Sequence, residues 1–181
     1  IPLVVAQGGC EAPVSGSGLR LWYRMDAATN TATPDAAGFH GGIGTNVVWT
    51  NQGWSGRAAT FNGVSSGFQI PALTEVNRAT GLTFGAWIRT SSQNLQGVMG
   101  KTANGNSCFY LAISTNGWID VTVDRTDGTH LNARTNGVIA VGEWQHVMGT
   151  YDGVQVVAYV DGRPVVASGV RGSGIGHVVA D

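Results

Sequence analysis

The chain has 181 residues, with 10 Lys and Arg against 11 Asp and Glu, a formal net charge of -1. Charged residues make up 12% and hydrophobic residues 43%, which excludes a disordered chain and gives no polycationic surface for nucleic acid. No apolar run approaches the about 18 residues that a membrane span needs, and 28 glycines break nearly every window of helical length.

Residues 1–18 read as an N-terminal extension or linker, and residues 19–181 as one domain. Ile1, Leu3, Val4 and Val5 form an apolar, extended segment in which Pro2 disfavours a helix. Gly8-Gly9 interrupts it, and residues 13–18 have linker composition. Two uses of the segment stay open: a strand of its own sandwich, or a strand donated to a neighbouring subunit. Repeated head to tail, the second use builds a homo-oligomer or filament. The chain begins at Ile1 without a methionine, so a leader has been removed or the sequence is part of a longer product. Cys10 and Cys108 fit one disulfide in an oxidising compartment, or two free thiols.

From residue 19 the pattern is short strands between turns. Candidate strands are residues 20–24, 58–61, 67–70, 82–89, 97–101, 108–114, 118–124, 131–134, 144–151 and 154–160. In residues 118–124 the alternation is strict: Ile119, Val121 and Val123 share one face, and Trp118, Asp120, Thr122 and Asp124 the other. Turn dipeptides separate the strands: Asn62-Gly63, Asn116-Gly117, Asp127-Gly128, Asn136-Gly137, Asp152-Gly153 and Asp161-Gly162. This pattern predicts an all-β fold, a two-sheet antiparallel sandwich of jelly-roll type.

Four segments then carry a resemblance, in order. They are Pro34-Asp35-Ala36-Ala37-Gly38-Phe39-His40-Gly41, Gly56-Arg57-Ala58-Ala59-Thr60-Phe61-Asn62-Gly63, Leu82-Thr83-Phe84-Gly85-Ala86-Trp87-Ile88-Arg89, and Trp144-Gln145-His146-Val147-Met148-Gly149-Thr150-Tyr151-Asp152-Gly153 followed by Ala158-Tyr159-Val160-Asp161-Gly162. Together they resemble the laminin-G-like, concanavalin-A-like jelly rolls over residues 19–166. The resemblance implies a secreted or cell-surface module. That family usually has further strands after the last hairpin, so by this comparison the sandwich lacks its last strands here. The resemblance also implies calcium, which prefers oxygen ligands. Asp35 is the first candidate, with Asp26 and Asn62 as neighbours. Asn62 stands where the family commonly has Asp. The alternative is that Asp35 and Asn62 stabilise turns.

Related jelly rolls include glucanases, which hydrolyse with paired carboxylates. The glutamates here are Glu11, Glu75 and Glu143, and no Glu-x-Asp-x-Glu run occurs. Asp120 and Asp124 lie four strand steps apart, about 13 Å. No nucleophile elbow, clustered zinc ligands or phosphate loop is present, and His146 sits at a strand position typical of the family. The expectation is therefore no catalysis. Trp118, Asp120 and Asp124, extended by Tyr110, make a candidate platform for a glycan, with the ring on the apolar sugar face and the acids on hydroxyls. The same residues also suit packing under a loop or against a protein partner.

Overall fold

The computed structural model describes residues 3–6, 18–26, 32–38, 40–70, 73–74, 76, 79–103, 106–125, 127–135 and 137–169. The strands are β1 (Leu3–Ala6), β2 (Ala32–Thr33), β3 (Gly42–Thr45), β4 (Val48–Thr50), β5 (Ala58–Phe61), β6 (Gly67–Gln69) and β7 (Leu82–Thr90). They continue with β8 (Gln96–Ala103), β9 (Asn106–Ser114), β10 (Trp118–Asp124), β11 (His130–Thr135), β12 (Gln145–Tyr151), β13 (Gln155–Val160) and β14 (Arg163–Gly169). A single helical turn at Thr115–Gly117 is broken by Asn116 at φ 65. Among the described residues no helix is long and apolar enough to cross a membrane.

Contacts divide the chain into two units, residues 1–73 with 87–92, and residues 74–86 with 93–181. β1 is an inner strand of the first unit. It pairs antiparallel with β5, Leu3 opposite Phe61, and with the last half of β7, Leu3 opposite Thr90. Leu3, Val4 and Val5 therefore hydrogen-bond within their own chain in this structure, whereas Ile1 lies outside the described residues. β4 extends this sheet beyond β5, and β2, β3 and β6 form a second small sheet. A core of Tyr23, Met25 and Ala59 fills the unit, with Leu21, Val47, Trp49, Phe61, Phe68 and Ile70 packed around it. Tyr23 and Phe68 meet edge to face at 5.0 Å, a favoured aromatic geometry.

The second unit is the two-layer sandwich. One sheet runs β11-β10-β9-β8, and the other runs β14-β13-β12 onto the first half of β7. Leu111, Ile113, Ile119, Val121, Val123, Leu131 and Ala133 point inward from the first sheet, all fully buried. They face Phe84, Ala86, Val147, Tyr151, Val156 and Ala158 from the second. Phe84 and Phe109 meet across the layers at 4.7 Å. Alternation predicted the inward positions Ile119, Val121 and Val123 of β10, because strand side chains change face at every residue. Asp161 and Gly162, at φ 51 and 75, turn β13 into β14 in two residues. That is the positive-φ pair a tight hairpin requires.

Gly149 sits where the layers touch. A Cβ there would lie 2.6 Å from Val121 Cγ1 and 2.9 Å from Phe84 Cζ. Both neighbours are buried and packed, so neither can retreat cheaply. Gly149→Ala is expected to cost about 1–3 kcal/mol, the usual penalty for overpacking, read as a lower urea midpoint.

Residues 20–24 correct one expectation: they form no strand. Trp22 N donates to the Asp35 side chain at 2.7 Å, and Ala36 N donates to Trp22 O at 2.7 Å. The backbone polar groups there are spent on the loop around Asp35, not on a ladder. Trp22 and Tyr23 are both buried, without alternation, and Met25 takes φ 55. β14 was not among the candidate strands, and it carries Pro164. It fits because β14 is an outer strand of its sheet, where a missing N–H is tolerated. Of residues 168–181, the stretch left after the last hairpin for closing strands, Ser168 and Gly169 end β14 and residues 170–181 lie outside the described residues.

Candidate functional site

The sequence placed the site on the polar face of β10, and the sheet register decides which groups meet there. Asp120 lies opposite Arg134, Thr122 opposite Asn132 and Tyr110, and Asp124 opposite His130. Cross-strand partners share a face, so these side chains form one polar surface backed by the apolar core. Asp120 is its anchor. Its side chain is 3% exposed, and its Oδ2 accepts from Arg134 Nε at 2.8 Å and also from the second guanidinium nitrogen. Oδ1 accepts from Asn132 Nδ2 at 2.5 Å, and Asn132 Nδ2 also reaches Thr122 Oγ1 at 2.7 Å.

The Asp120 carboxylate holds the Arg134 guanidinium above its already high pKa, with a smaller contribution from Tyr110. A buried carboxylate clamped by a guanidinium and an amide is a fixed hydrogen-bonding framework rather than a poised acid or base. Arg134 also lies over the Trp118 ring, 5.4 Å from its centroid. This changes the expected sugar platform. The guanidinium takes one face of Trp118, and Asp120 is committed to Arg134. The groups left facing outward are those of β11, Arg134, Asn132 and His130, all exposed.

Asp124 stands at the other end of β10, its Oδ1 2.6 Å from His130 Nδ1. The carboxylate raises the imidazole pKa, first through this hydrogen bond and then through its charge. Trp118, Asp120 and Tyr110 are thus gathered around Arg134, while Asp124 forms a separate pair. Each carboxylate has its own partner, Asp120 in Arg134 and Asp124 in His130, at separate register positions along β10, whereas hydrolysis of a glycosidic bond needs carboxylates that flank it. Arg134 and Asn132 were not singled out from the sequence. Period-two alternation in residues 130–134, read against residues 118–124, is the signal that could have found them.

A family model described as the concanavalin A-like lectin/glucanases superfamily, of laminin-G type, matches residues 61–177. The chain belongs to this superfamily. Comparison with curated proteins and with solved structures gives no match. The concanavalin A-like assignment agrees with the antiparallel layers described above and covers more than half of the chain.

For a concanavalin A-like domain with an expected calcium site, the first unit is informative. Asp35 is buried, and its carboxylate accepts three backbone N–H groups: Trp22 and Ala37 at 2.7 and 2.9 Å on Oδ1, and His40 at 3.1 Å on Oδ2. Asn62 Oδ1 accepts from Val64, Ser65 and Ser66 at 2.9, 2.9 and 3.0 Å. Asp26 Oδ1 accepts from Arg57 N at 3.3 Å and lines an open cleft of about 280 Å³ with Arg24, Thr33 and Pro34. Each of the three is engaged in fixing a loop. Among the described residues no group of three or more His, Cys, Asp or Glu is placed to hold a metal. Cys108 is buried, with a free thiol in this structure, and Cys10, its partner in the disulfide reading, lies outside the described residues.

Tyr23 completes the Asp35 loop by donating its hydroxyl to His40 O at 2.5 Å. Burial pushes its phenol up to about 12, and the Asp35 charge adds to the shift. The unfolded phenol titrates near 10, so the folded state binds the proton more tightly. This contribution is complete below about pH 10 and is lost as pH rises from about 10 to 12. At 1.36 kcal/mol per pKa unit, about 2–3 kcal/mol should disappear across that window. Tyr23→Phe should flatten the decline, as measured by urea midpoints against pH. His146 shows the opposite sign, lowered by burial, with Asp161 opposing. Its backbone N–H donates to Asp161 Oδ1 at 2.8 Å, a structural use of the motif.

Proposed function

We propose that this protein is a non-catalytic recognition module of the extracellular space, binding a glycan through the outer face of the β8–β11 sheet. The observation that carries this reading is the clamping of Asp120 by Arg134 and Asn132. It removes the carboxylate that hydrolysis would need and fixes exposed donors in a rigid array. Fixed donors bind hydroxyl-rich ligands at low entropic cost, because no side chain has to be ordered on binding. Superfamily membership supports a binding module in general, and the low charge of the chain favours neutral ligands over polyanions. The internal pairing of β1 favours no donated-strand assembly.

The test is a glycan array with the full chain and with Asp120→Leu/Arg134→Met. Replacing an ion pair by apolar residues of similar size usually preserves folding. The wild type should retain at least one glycan, and the double variant should lose it. Silence of the wild type, or retention of every hit by the folded double variant, would reject this site.

A further inference from the structure

Trp54 and Trp87 form a second aromatic feature, remote in sequence from the sheet face above. Their rings stack at 4.1 Å with 8° between planes. Trp87 points outward from β7, between the buried Ala86 and Ile88, and Trp54 is 52% exposed on top of it. The turn that presents Trp54 is built for the purpose. Gly53 N donates to Gly56 O at 3.0 Å, and Gly56 takes φ 78. Asp26 Oδ1 then holds Arg57 N at the base of the turn. Arg89, on the same face of β7 as Trp87, donates to Gln52 Oε1 at 3.3 Å. A flat indole thus faces water, held from below by a second indole and flanked by a guanidinium–amide pair.

We infer that the Trp54–Trp87 stack is a pyranose-binding platform selecting sugar rings with equatorial hydroxyls. Rings with equatorial hydroxyls present a flat C–H face that covers an indole, while their edge hydroxyls reach Arg89 and Gln52. Two indoles bury at most about 250 Å² each, and the rim is polar: Asn51, Gln52 and Ser55. A stable protein interface needs about 800 Å² per partner, so the platform suits a sugar rather than a protein. The inference rests on the glycan reading above but uses different residues, so the two can fail separately.

Cellohexaose and chitohexaose serve as probes, titrated into the full chain by calorimetry and tryptophan emission. At least one should bind saturably at millimolar concentration. Trp54→Ala, in an exposed turn, should weaken it about tenfold or more without moving Tm, since burying one large ring is worth about 1.5–3 kcal/mol. Asp120→Leu/Arg134→Met, which tests the sheet face, is titrated in parallel. The platform is refuted if neither hexasaccharide binds, or if Trp54→Ala binds unchanged. Loss in the double variant with retention in Trp54→Ala would also refute it, while supporting the sheet face.

Discussion

Asp35→Ala is expected to lower the unfolding free energy by about 3–5 kcal/mol, about 10 °C in Tm for a chain of this size. The substitution deletes one side chain but strands three backbone N–H groups, those of Trp22, Ala37 and His40. The Trp22 bond is fully buried, so its N–H has no water to turn to. Hydrogen bonds to a charged acceptor contribute about 1.5–3 kcal/mol, and an orphaned buried donor costs about 1–3 kcal/mol. Asp35→Asn keeps one acceptor oxygen and should cost about 1–2 kcal/mol. It should also bring the Tyr23 phenol down from about 12, because the Asp35 charge is one cause of that shift. Chemical denaturation and a spectrophotometric tyrosine titration of the two variants check both statements. An Asp35→Ala loss under about 1 kcal/mol, the size of one neutral hydrogen bond, would show that the loop is held by other groups.

Arg134→Ala is expected to cost about 3–5 kcal/mol, although Arg134 is itself exposed. The damage falls on Asp120, whose buried carboxylate would keep, among the described residues, Asn132 and Thr122 in its hydrogen-bond network. An unpaired buried charge is far more costly than a missing pair. Asp120→Leu/Arg134→Met should therefore recover most of the loss, despite carrying two substitutions. The sign of the difference between single and double variants is the informative quantity, and urea denaturation measures it. A double variant less stable than Arg134→Ala would mean that the pair acts mainly through packing on Trp118.

The sandwich of the second unit was legible because several of its strands, residues 118–124 above all, alternate in sequence and are separated by Asn-Gly or Asp-Gly pairs. The sequence range for residues 118–124 coincides with β10, and those for β5, β9 and β12 differ by at most two residues at either end. The first unit was less legible. β2, β3 and β4 have two to four residues each, too few for a period to register. Residues 20–24 have strand composition, yet the Asp35 side chain captures the backbone that a ladder would use.

The site was legible by residue type more than by role. Alternation placed Trp118, Asp120 and Asp124 on one face, but only the register brings Arg134 onto Asp120. Side-chain pairing across strands is a property of register, which turns and core packing set together. The Trp54–Trp87 stack was hidden for a related reason. It joins a turn to a strand more than thirty positions away, and neither ring stands out locally.

Binding without cleavage is the claim on which the functional account turns. The most direct measurement is prolonged incubation of the full chain with each glycan it retains on an array, followed by mass spectrometry of the sugars. The account predicts retention of at least one glycan and its recovery intact, with no new reducing ends. Release of shortened oligosaccharides, abolished by Asp120→Asn, would contradict it.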